Sequence, residues 1–133
     1  MSEDLIKLTS SSLSSLISGD AGELSLPKPF ERDIFLFDTI VAGTSHIDGI
    51  EELEPFLKEG DRLEFFREPQ NRYDEMAIVI KNAHGIKIGY VPQRDNVVFS
   101  RLMDAGKILF GQITHKEWRN RWLKISIKIY LHE

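Results

Sequence analysis

The sequence predicts a mainly β domain with two short helices, folded as a small six-stranded barrel of the OB-like or SH3-like type. Six short segments are rich in β-branched and aromatic residues, and turn residues such as Gly, Pro, Asn and Asp separate them. Within residues 31–133, two segments repeat apolar residues at helical spacing. Six strands in a domain of about 100 residues exceed what one flat antiparallel sheet usually holds, which favours closure into a barrel. A two-layer α+β sandwich is the alternative.

The first thirty residues differ in composition from the rest of the chain. The stretch TSSSLSSLISGDAGELSLPKPF is rich in serine and ends in two prolines, which is typical of a tether. Residues 1–30 are therefore predicted to form an N-terminal arm, either flexible or docked on a partner through its leucines. Residues 31–133 are predicted to form the barrel domain.

The first half of the domain is predicted to contain four strands and a short helix. IFLFDTIVAG and RLEFFRE are apolar and aromatic strand segments. Between them, residues 50–57 carry apolar side chains at helical spacing, and Pro55 shortens that helix. MAIVIKN is apolar on both faces, as expected of a central strand. NAHG predicts a hairpin into IKIGYV, which a proline ends.

The second half is predicted to contain a helix and two strands. One apolar stripe marks the helix RDNVVFSRLMDAG: Val98, Phe99, Leu102 and Met103. Asp95 or Asn96 is expected to cap this helix and Gly106 to end it, with the helix covering one open end of the barrel. KILFGQITH and RWLKISIKIYL are the last two strands. The second alternates isoleucine and leucine with polar residues and tyrosine, which indicates one wet face.

Composition excludes several classes of protein. The chain of 133 residues has no cysteine, so it holds no disulfide, no thiolate nucleophile and no cysteine-ligated zinc. It has no run of about 18 apolar residues, and its N-terminus opens with Ser2, Glu3 and Asp4, where an export signal would be basic. We therefore expect a cytoplasmic protein without a membrane segment.

Charge is distributed unevenly along the chain. Residues 1–60 carry 12 acidic and 4 basic side chains, a balance of −8, whereas residues 61–133 carry 9 acidic and 13 basic side chains, a balance of +4. The second half is thus the part suited to a polyanion, although an ordinary solvated surface explains the same excess.

Motifs for catalysis and metal binding are absent from the sequence. There is no Gly-x-Ser-x-Gly elbow, no phosphate-binding glycine loop and no His-Glu-x-x-His pair. Four histidines fall at predicted turns or chain ends, where solvated imidazoles are ordinary: His46, His84, His115 and His132. The prediction is a non-enzymatic protein without a metal or cofactor. The one enzymatic alternative is a cleft in which Glu68, Asp74 and Asp95 hold Mg²⁺ for nuclease chemistry.

Three segments combine aromatic and polar side chains in the manner of a binding face. They are Asn71–Asp74 at the mouth of a strand, Gly89–Arg94 at a strand end, and HKEWRNRWLK at residues 115–124. The last segment interleaves Trp118 and Trp122 with lysines and arginines. That pattern suits single-stranded nucleic acid, because bases stack on aromatic rings while cations meet phosphates.

Each segment also has a purely structural interpretation. Asn71 and Asp74 can cap the turn through hydrogen bonds from side chain to backbone, with Tyr73 leaning on the barrel rim. Gly89 can make room for close packing at a barrel corner. The two tryptophans can plug one end of the barrel.

The order of these segments resembles the HIRAN domain family. The matching stretches are DTIVAGTSH and EGDRLEFFREPQNRYDEMAIVIKNAHGIKIGYVPQRDNVVFSRLMDAG. They contain Val-x-Gly, then Glu-Pro-x-Asn-x-Tyr-Asp-x-x-Ala-Ile, then Gly-Tyr-Val-Pro and a helix. The resemblance spans roughly residues 34–131 and is to stand-alone bacterial or phage-type members of the family.

The resemblance implies an OB-like barrel that recognises DNA, with the free 3′ end of single-stranded DNA as the ligand in eukaryotic fork-remodelling relatives. Tyr73 would stack on a terminal nucleotide, and Asp74 would accept a hydrogen bond from its 3′-hydroxyl. Further implied contacts to the strand come from five or six side chains: Arg72, Tyr90, Gln93, Arg94, and Trp118 or Trp122.

One position departs from the pattern of the end-binding relatives. After Val-x-Gly they place an arginine and an aromatic residue that grip a phosphate and a base, whereas this chain has Ser45 and His46. Serine donates one hydrogen bond and carries no charge. Loss of a bidentate phosphate contact costs about 1 to 3 kcal/mol, so weaker or altered end binding is expected.

Two hypotheses on function follow. The first is a non-catalytic DNA-binding module for single-stranded DNA or a 3′ end in DNA repair, replication or defence, with a helicase or nuclease as partner. The alternative is a protein-interaction module that kept the HIRAN fold and lost DNA binding. The acidic first half of the chain, together with Ser45 and His46 in place of the expected pair, favours the alternative.

Overall fold

The computed structural model describes residues 32–133, in which six antiparallel strands form one curled sheet. In chain order the strands are β1 Asp33–Ile40, β2 Arg62–Arg67, β3 Ile78–Lys81, β4 Lys87–Tyr90, β5 Ile108–Arg119 and β6 Trp122–His132. Neighbours in the sheet follow the order β1-β6-β5-β2-β3-β4. The prediction of a mainly β domain with six strands is confirmed. The predicted arm at residues 1–30 lies outside the described residues.

The two edge strands of the sheet meet at one bridge. Ala42, just past β1, exchanges two backbone hydrogen bonds with Tyr90 at the end of β4, with N to O distances of 2.7 and 2.9 Å. The approach is close: a Cβ on Gly89 would lie 2.4 Å from the carbonyl oxygen of Ala42 and 2.4 Å from Cγ1 of Val41. Glycine makes room here, as the sequence indicated. The sheet is therefore an OB-like half-barrel closed at a single point.

The concave side of the sheet holds the hydrophobic core. In β6 the inward side chains Leu123, Ile125, Ile127 and Ile129 are at most 1% exposed, and they alternate with half-buried residues on the outer face. β3 is buried along its three isoleucine and valine residues, as predicted, because it lies between β2 and β4. Full burial of one such aliphatic side chain contributes about 1.5 to 3 kcal/mol. This core holds in place the strands whose ends carry the loops described below.

The first predicted helix is short. α1 spans Ile50–Leu53 and continues as a 3₁₀ turn over Glu54–Phe56, which contains Pro55. Proline removes a backbone donor from a helix, which explains why the α-helical part ends after one turn. No helix within residues 32–133 has the length and apolar character needed to span a bilayer.

The second helix, α2, spans Asn96–Asp104 and crosses from β1 to β2. Thr39 Oγ1 donates to Asp95 Oδ2 at 2.8 Å at one end, and Arg67 Nε donates to Asp104 Oδ1 at 2.9 Å at the other. The Asp95 side chain makes no capping bond to the helix, so the prediction of a side-chain cap is wrong. Val98 is 62% exposed, so the apolar stripe that faces the core is narrower than predicted.

Candidate nucleic-acid interface

The loop between β2 and β3 is organised by one carboxamide. Oδ1 of Asn71 accepts hydrogen bonds from the backbone nitrogens of Tyr73 at 2.9 Å and Asp74 at 3.1 Å. Its Nδ2 donates to Glu68 Oε1 at 3.0 Å, and the loop ends are joined by a bond from Glu68 N to Ala77 O at 3.0 Å. The expected cap by Asn71 is confirmed. A loop lacks the backbone hydrogen bonds that neighbouring strands share, and these side-chain bonds take their place. They hold the loop in one defined conformation.

Arg67, the last residue of β2, ties the same loop to α2. Its Nη1 donates to Ala77 O at 2.7 Å and its Nη2 donates to Glu75 O at 3.0 Å. The other edge of the guanidinium meets the carboxylate of Asp104, with Nε 2.9 Å and Nη2 3.3 Å from its two oxygens. A planar guanidinium can donate five hydrogen bonds in fixed directions, so this one side chain connects the loop to α2. This role was missed at the sequence level.

Tyr73 projects from the braced loop into solvent. Its side chain is 86% exposed, which does not support the alternative interpretation that it leans on the barrel rim. Its neighbour Arg72 is also exposed, with the guanidinium carbon 5.8 Å from the ring centroid. An aromatic ring that makes no core contact, held on a rigid loop next to a cation, is available for stacking on a planar ligand.

Asp74 is held from two sides. Its Oδ1 accepts from Met76 N at 2.9 Å, and its Oδ2 accepts from Nδ2 of Asn96 at 2.8 Å. Asn96 is 2% exposed and lies at the start of α2. A carboxylate offers about four acceptor positions, so the carboxylate keeps acceptor capacity after these two bonds. The turn-capping role predicted for Asp74 is confirmed.

The hydroxyl of Tyr90 links the loop to β4. It donates to Glu68 Oε1 at 2.7 Å and accepts from Lys87 Nζ at 2.9 Å. The hydrogen bond from Asn71 lowers the pKa of Glu68; burial opposes this, while the Tyr90 hydroxyl and the charges of Lys87 and Lys81 lower it further. The hydroxyl is therefore occupied by protein groups, and Lys87 Nζ also lies 4.5 Å from the centroid of the half-buried ring.

A groove of about 280 Å³ joins the loop to β4 and the start of α2. Its polar and aromatic lining consists of Asn71, Tyr73, Asp74, Tyr90, Gln93 and Asn96. Four of these residues were candidates from the sequence. The two asparagines were not among the candidate ligand contacts, although their polar side chains between predicted elements were a usable signal.

Residues 34–133 match the family model of the HIRAN domain. The chain belongs to the HIRAN domain family. Among solved structures it is similar to a protein from Lactobacillus plantarum, with 25% sequence identity and a TM-score of 0.72 over 77% of this chain and 98% of that one. It is also similar in fold to the HIRAN domain of human HLTF, with 17% identity and a TM-score of 0.60 over 74% of this chain and 78% of that one. No curated protein matches the chain.

Outside the β5–β6 hairpin, four exposed candidates of this HIRAN domain do not line the groove: Ser45, His46, Arg72 and Arg94. Ser45 and His46 belong to the 3₁₀ turn Thr44–His46, which begins two residues after the bridge at Ala42. That turn is anchored because Thr44 Oγ1 donates to Leu123 O at 2.7 Å. Arg94 follows the groove residue Gln93, and its side chain is 70% exposed, with Nε 3.8 Å from Asp95 Oδ2.

The two tryptophans of the HIRAN domain lie on opposite faces of the β5–β6 hairpin. Trp118 pairs with Leu123, whose side chain is buried in the core, whereas Trp122 pairs with Arg119 on the other face. Lys116 lowers the pKa of the Glu54 carboxyl; burial opposes this, and Trp118 lowers the pKa further. Neither tryptophan lines the groove. A single channel lined by Tyr73, Tyr90 and Trp122 is therefore absent from the described residues.

The cations of the hairpin are partly neutralised. Lys116 Nζ lies 2.5 Å from Glu54 Oε2, and Arg119 is paired with Glu117. Within residues 32–133, no ion pair engages Arg121 or Lys124. These two side chains are therefore available to pair with a phosphate.

The three carboxylates suggested as a Mg²⁺ site, Glu68, Asp74 and Asp95, each accept a hydrogen bond from a different side chain. Asp95 accepts from Thr39, Asp74 accepts from Asn96, and Glu68 accepts from Asn71. In the described part of the chain, no three acidic or histidine side chains gather where they could hold a metal ion.

Proposed function

We propose that this HIRAN domain is a DNA-binding module that holds single-stranded DNA, or a 3′ end, in the groove between Tyr73 and Tyr90. Membership of the HIRAN family supports DNA recognition in general. The observation that carries the finer proposal is the ring of Tyr73, which is 86% exposed on a loop held by side-chain hydrogen bonds.

Stacking and hydrogen bonding have separate tasks in this proposal. The ring of Tyr73 stacks on a base, which gives affinity without sequence preference. Asp74 accepts a hydrogen bond from a terminal 3′-hydroxyl through the acceptor positions that Met76 and Asn96 leave open. Exposed Arg72 and Arg94 meet phosphates. Such a division between positioning and recognition is common in protein–DNA contacts.

The cellular context completes the proposal. A domain that binds single strands or ends without cutting them directs other enzymes to DNA. The proposed setting is DNA repair, replication or defence in the cytoplasm, beside a helicase or nuclease that supplies the catalysis.

Tyr73 provides the first test. Fluorescence anisotropy with a labelled single-stranded oligonucleotide measures the Kd of wild type, Tyr73→Ala and Tyr73→Phe. Loss of one base stack costs about 1 to 3 kcal/mol, which is roughly a 5- to 150-fold weaker Kd for Tyr73→Ala. Tyr73→Phe keeps the ring and is the matched control. Absence of binding by the wild type at low salt would refute the DNA proposal, and equal Kd values for all three proteins would refute the role of the ring.

End recognition needs a separate test that leaves Asp74 intact. An Asn at position 74 would place an amide donor against either Met76 N or the Asn96 amide and so disturb the loop. The ligand is changed instead: oligonucleotides with a free 3′-hydroxyl and with a 3′-phosphate are compared at several salt concentrations. We expect tighter binding of the free end, and equal affinity would restrict the proposal to single strands in general.

A further inference from the structure

A second cleft lies between α1 and the β3–β4 hairpin. Its volume is about 570 Å³, and it shares no lining residue with the groove. Its apolar surface comes from Leu53, Phe56 and Ile86. Phe56 is 73% exposed and Ile86 is 46% exposed, which leaves large apolar side chains in contact with water beside a concave surface. Clefts of roughly 300 to 1,000 Å³ with an apolar lining are of the size that proteins use to bind ligands.

The rim of this cleft carries negative charge. Asp48 and Glu52 both line it, and within residues 32–133 no hydrogen bond or ion pair engages either carboxylate. Nearby Glu54 differs, because Lys116 neutralises it. Unpaired carboxylates repel phosphates and attract ammonium or guanidinium groups. The two carboxylates outnumber His84, the one basic side chain of the lining, so the cleft disfavours a nucleic acid and favours a cationic occupant.

We propose that this cleft binds a short segment of another protein, in which an apolar side chain is followed or preceded by lysine or arginine. The apolar side chain would fill the space between Phe56 and Ile86, and the cation would meet Asp48 and Glu52. A side chain anchored in a central pocket carries most of the affinity at protein interfaces, and charges at the rim add specificity and faster association. The domain then has two independent surfaces, one for DNA and one for a basic, apolar peptide.

The test is a selection of random twelve-residue peptides displayed on phage, performed on the full chain. Enriched peptides are synthesised with a fluorescent label and titrated against variants. Phe56→Ala and Glu52→Lys are each expected to weaken binding about tenfold or more, because each removes one half of the recognition. Val98→Ala is the matched apolar control, since Val98 is 62% exposed on α2. Glu51→Lys is the matched charge control, since Glu51 lies on α1 without lining the cleft.

The outcomes decide the proposal. It is supported if enriched peptides share an apolar residue beside lysine or arginine and if only Phe56→Ala and Glu52→Lys weaken them. It is overturned if no peptide is enriched, if the peptides lack basic residues, or if the controls weaken binding equally. Phe56→Ala should bind the oligonucleotide like wild type, so failure of the peptide proposal and failure of the DNA proposal are separable. A thermal melt of each variant verifies folding.

Discussion

The carboxamide of Asn71 braces the loop that presents Tyr73, and Asn71→Ala removes all of its bonds at once. Two are acceptor bonds to the backbone nitrogens of Tyr73 and Asp74, and the third is a donor bond to Glu68. After the substitution, two backbone donors must turn to water, and Oε1 of Glu68 keeps its bond from the Tyr90 hydroxyl alone. The loop is then expected to lose its single conformation.

The size of the effect follows from the exposure of those bonds. A net hydrogen bond contributes about 0.5 to 1.5 kcal/mol. The bond to Tyr73 N is exposed and belongs at the lower end of that range, whereas the bonds to Asp74 N and Glu68 are partly buried and belong higher. The sum is about 2 to 3 kcal/mol of unfolding free energy. For a domain of this size that corresponds to a fall in Tm of roughly 8 to 24 °C.

Urea unfolding and DNA titration test this reasoning together, with Asn71→Asp as the matched variant. The aspartate keeps an acceptor for the two backbone nitrogens but sets a second carboxylate against Glu68, so its stability at neutral pH should fall and partly recover on acidification. Asn71→Ala should show no such recovery, and it should bind the oligonucleotide more weakly than wild type. An unfolding free energy of Asn71→Ala within about 0.5 kcal/mol of wild type, at unchanged m-value, would refute the role assigned to this side chain.

Three further substitutions test the frame around the groove. Gly89→Ala should cost more than about 3 kcal/mol or prevent folding, because its Cβ would lie 2.4 Å from a carbonyl oxygen; a Tm near that of wild type would contradict this. The pKa of Glu68 is lowered in the folded protein, chiefly by Asn71. The Glu68 carboxylate therefore stabilises the fold at pH values above its pKa in the unfolded chain, and this stabilisation is lost as pH falls through its pKa in the folded protein. Tm should thus fall more on acidification from pH ~5 in wild type than in Glu68→Gln. Thr44→Val should cost about 1 to 3 kcal/mol by leaving Leu123 O unpaired, whereas Thr44→Ser should retain the bond.

Features of the fold that depend on neighbouring residues were predictable. The alternation in β6 and the two-faced burial of β3 follow from side-chain periodicity alone. The closure at Ala42 and Tyr90 and the pairing of β1 with β6 join residues that are far apart in sequence, and no local pattern specifies which edges meet. The bond between Thr39 and Asp95 likewise spans 56 positions, so the sequence around the helix could not reveal it.

The candidate site divides in the same way. The cap by Asn71 uses backbone groups two and three residues away, so the residue type revealed it. The bond between Asn96 and Asp74 spans 22 positions and was not predictable. Trp118 and Trp122 are four positions apart, which would place them on one face of a continuous strand. The turn after Arg119 instead sets them on two paired strands, where the register decides the face of each.

The half-barrel is closed by one bridge between Ala42 and Tyr90, called the clasp below, and not by a continuous ladder of hydrogen bonds. Two backbone hydrogen bonds hold it, so opening it breaks far fewer interactions than unfolding the sheet does. Tyr90 belongs both to the clasp and to the groove, so opening the clasp would alter the groove. It would also disturb the core, because the flanking residues Val41 and Val91 are buried there. The amide protons of Ala42 and Tyr90 should exchange with solvent faster than those of β6.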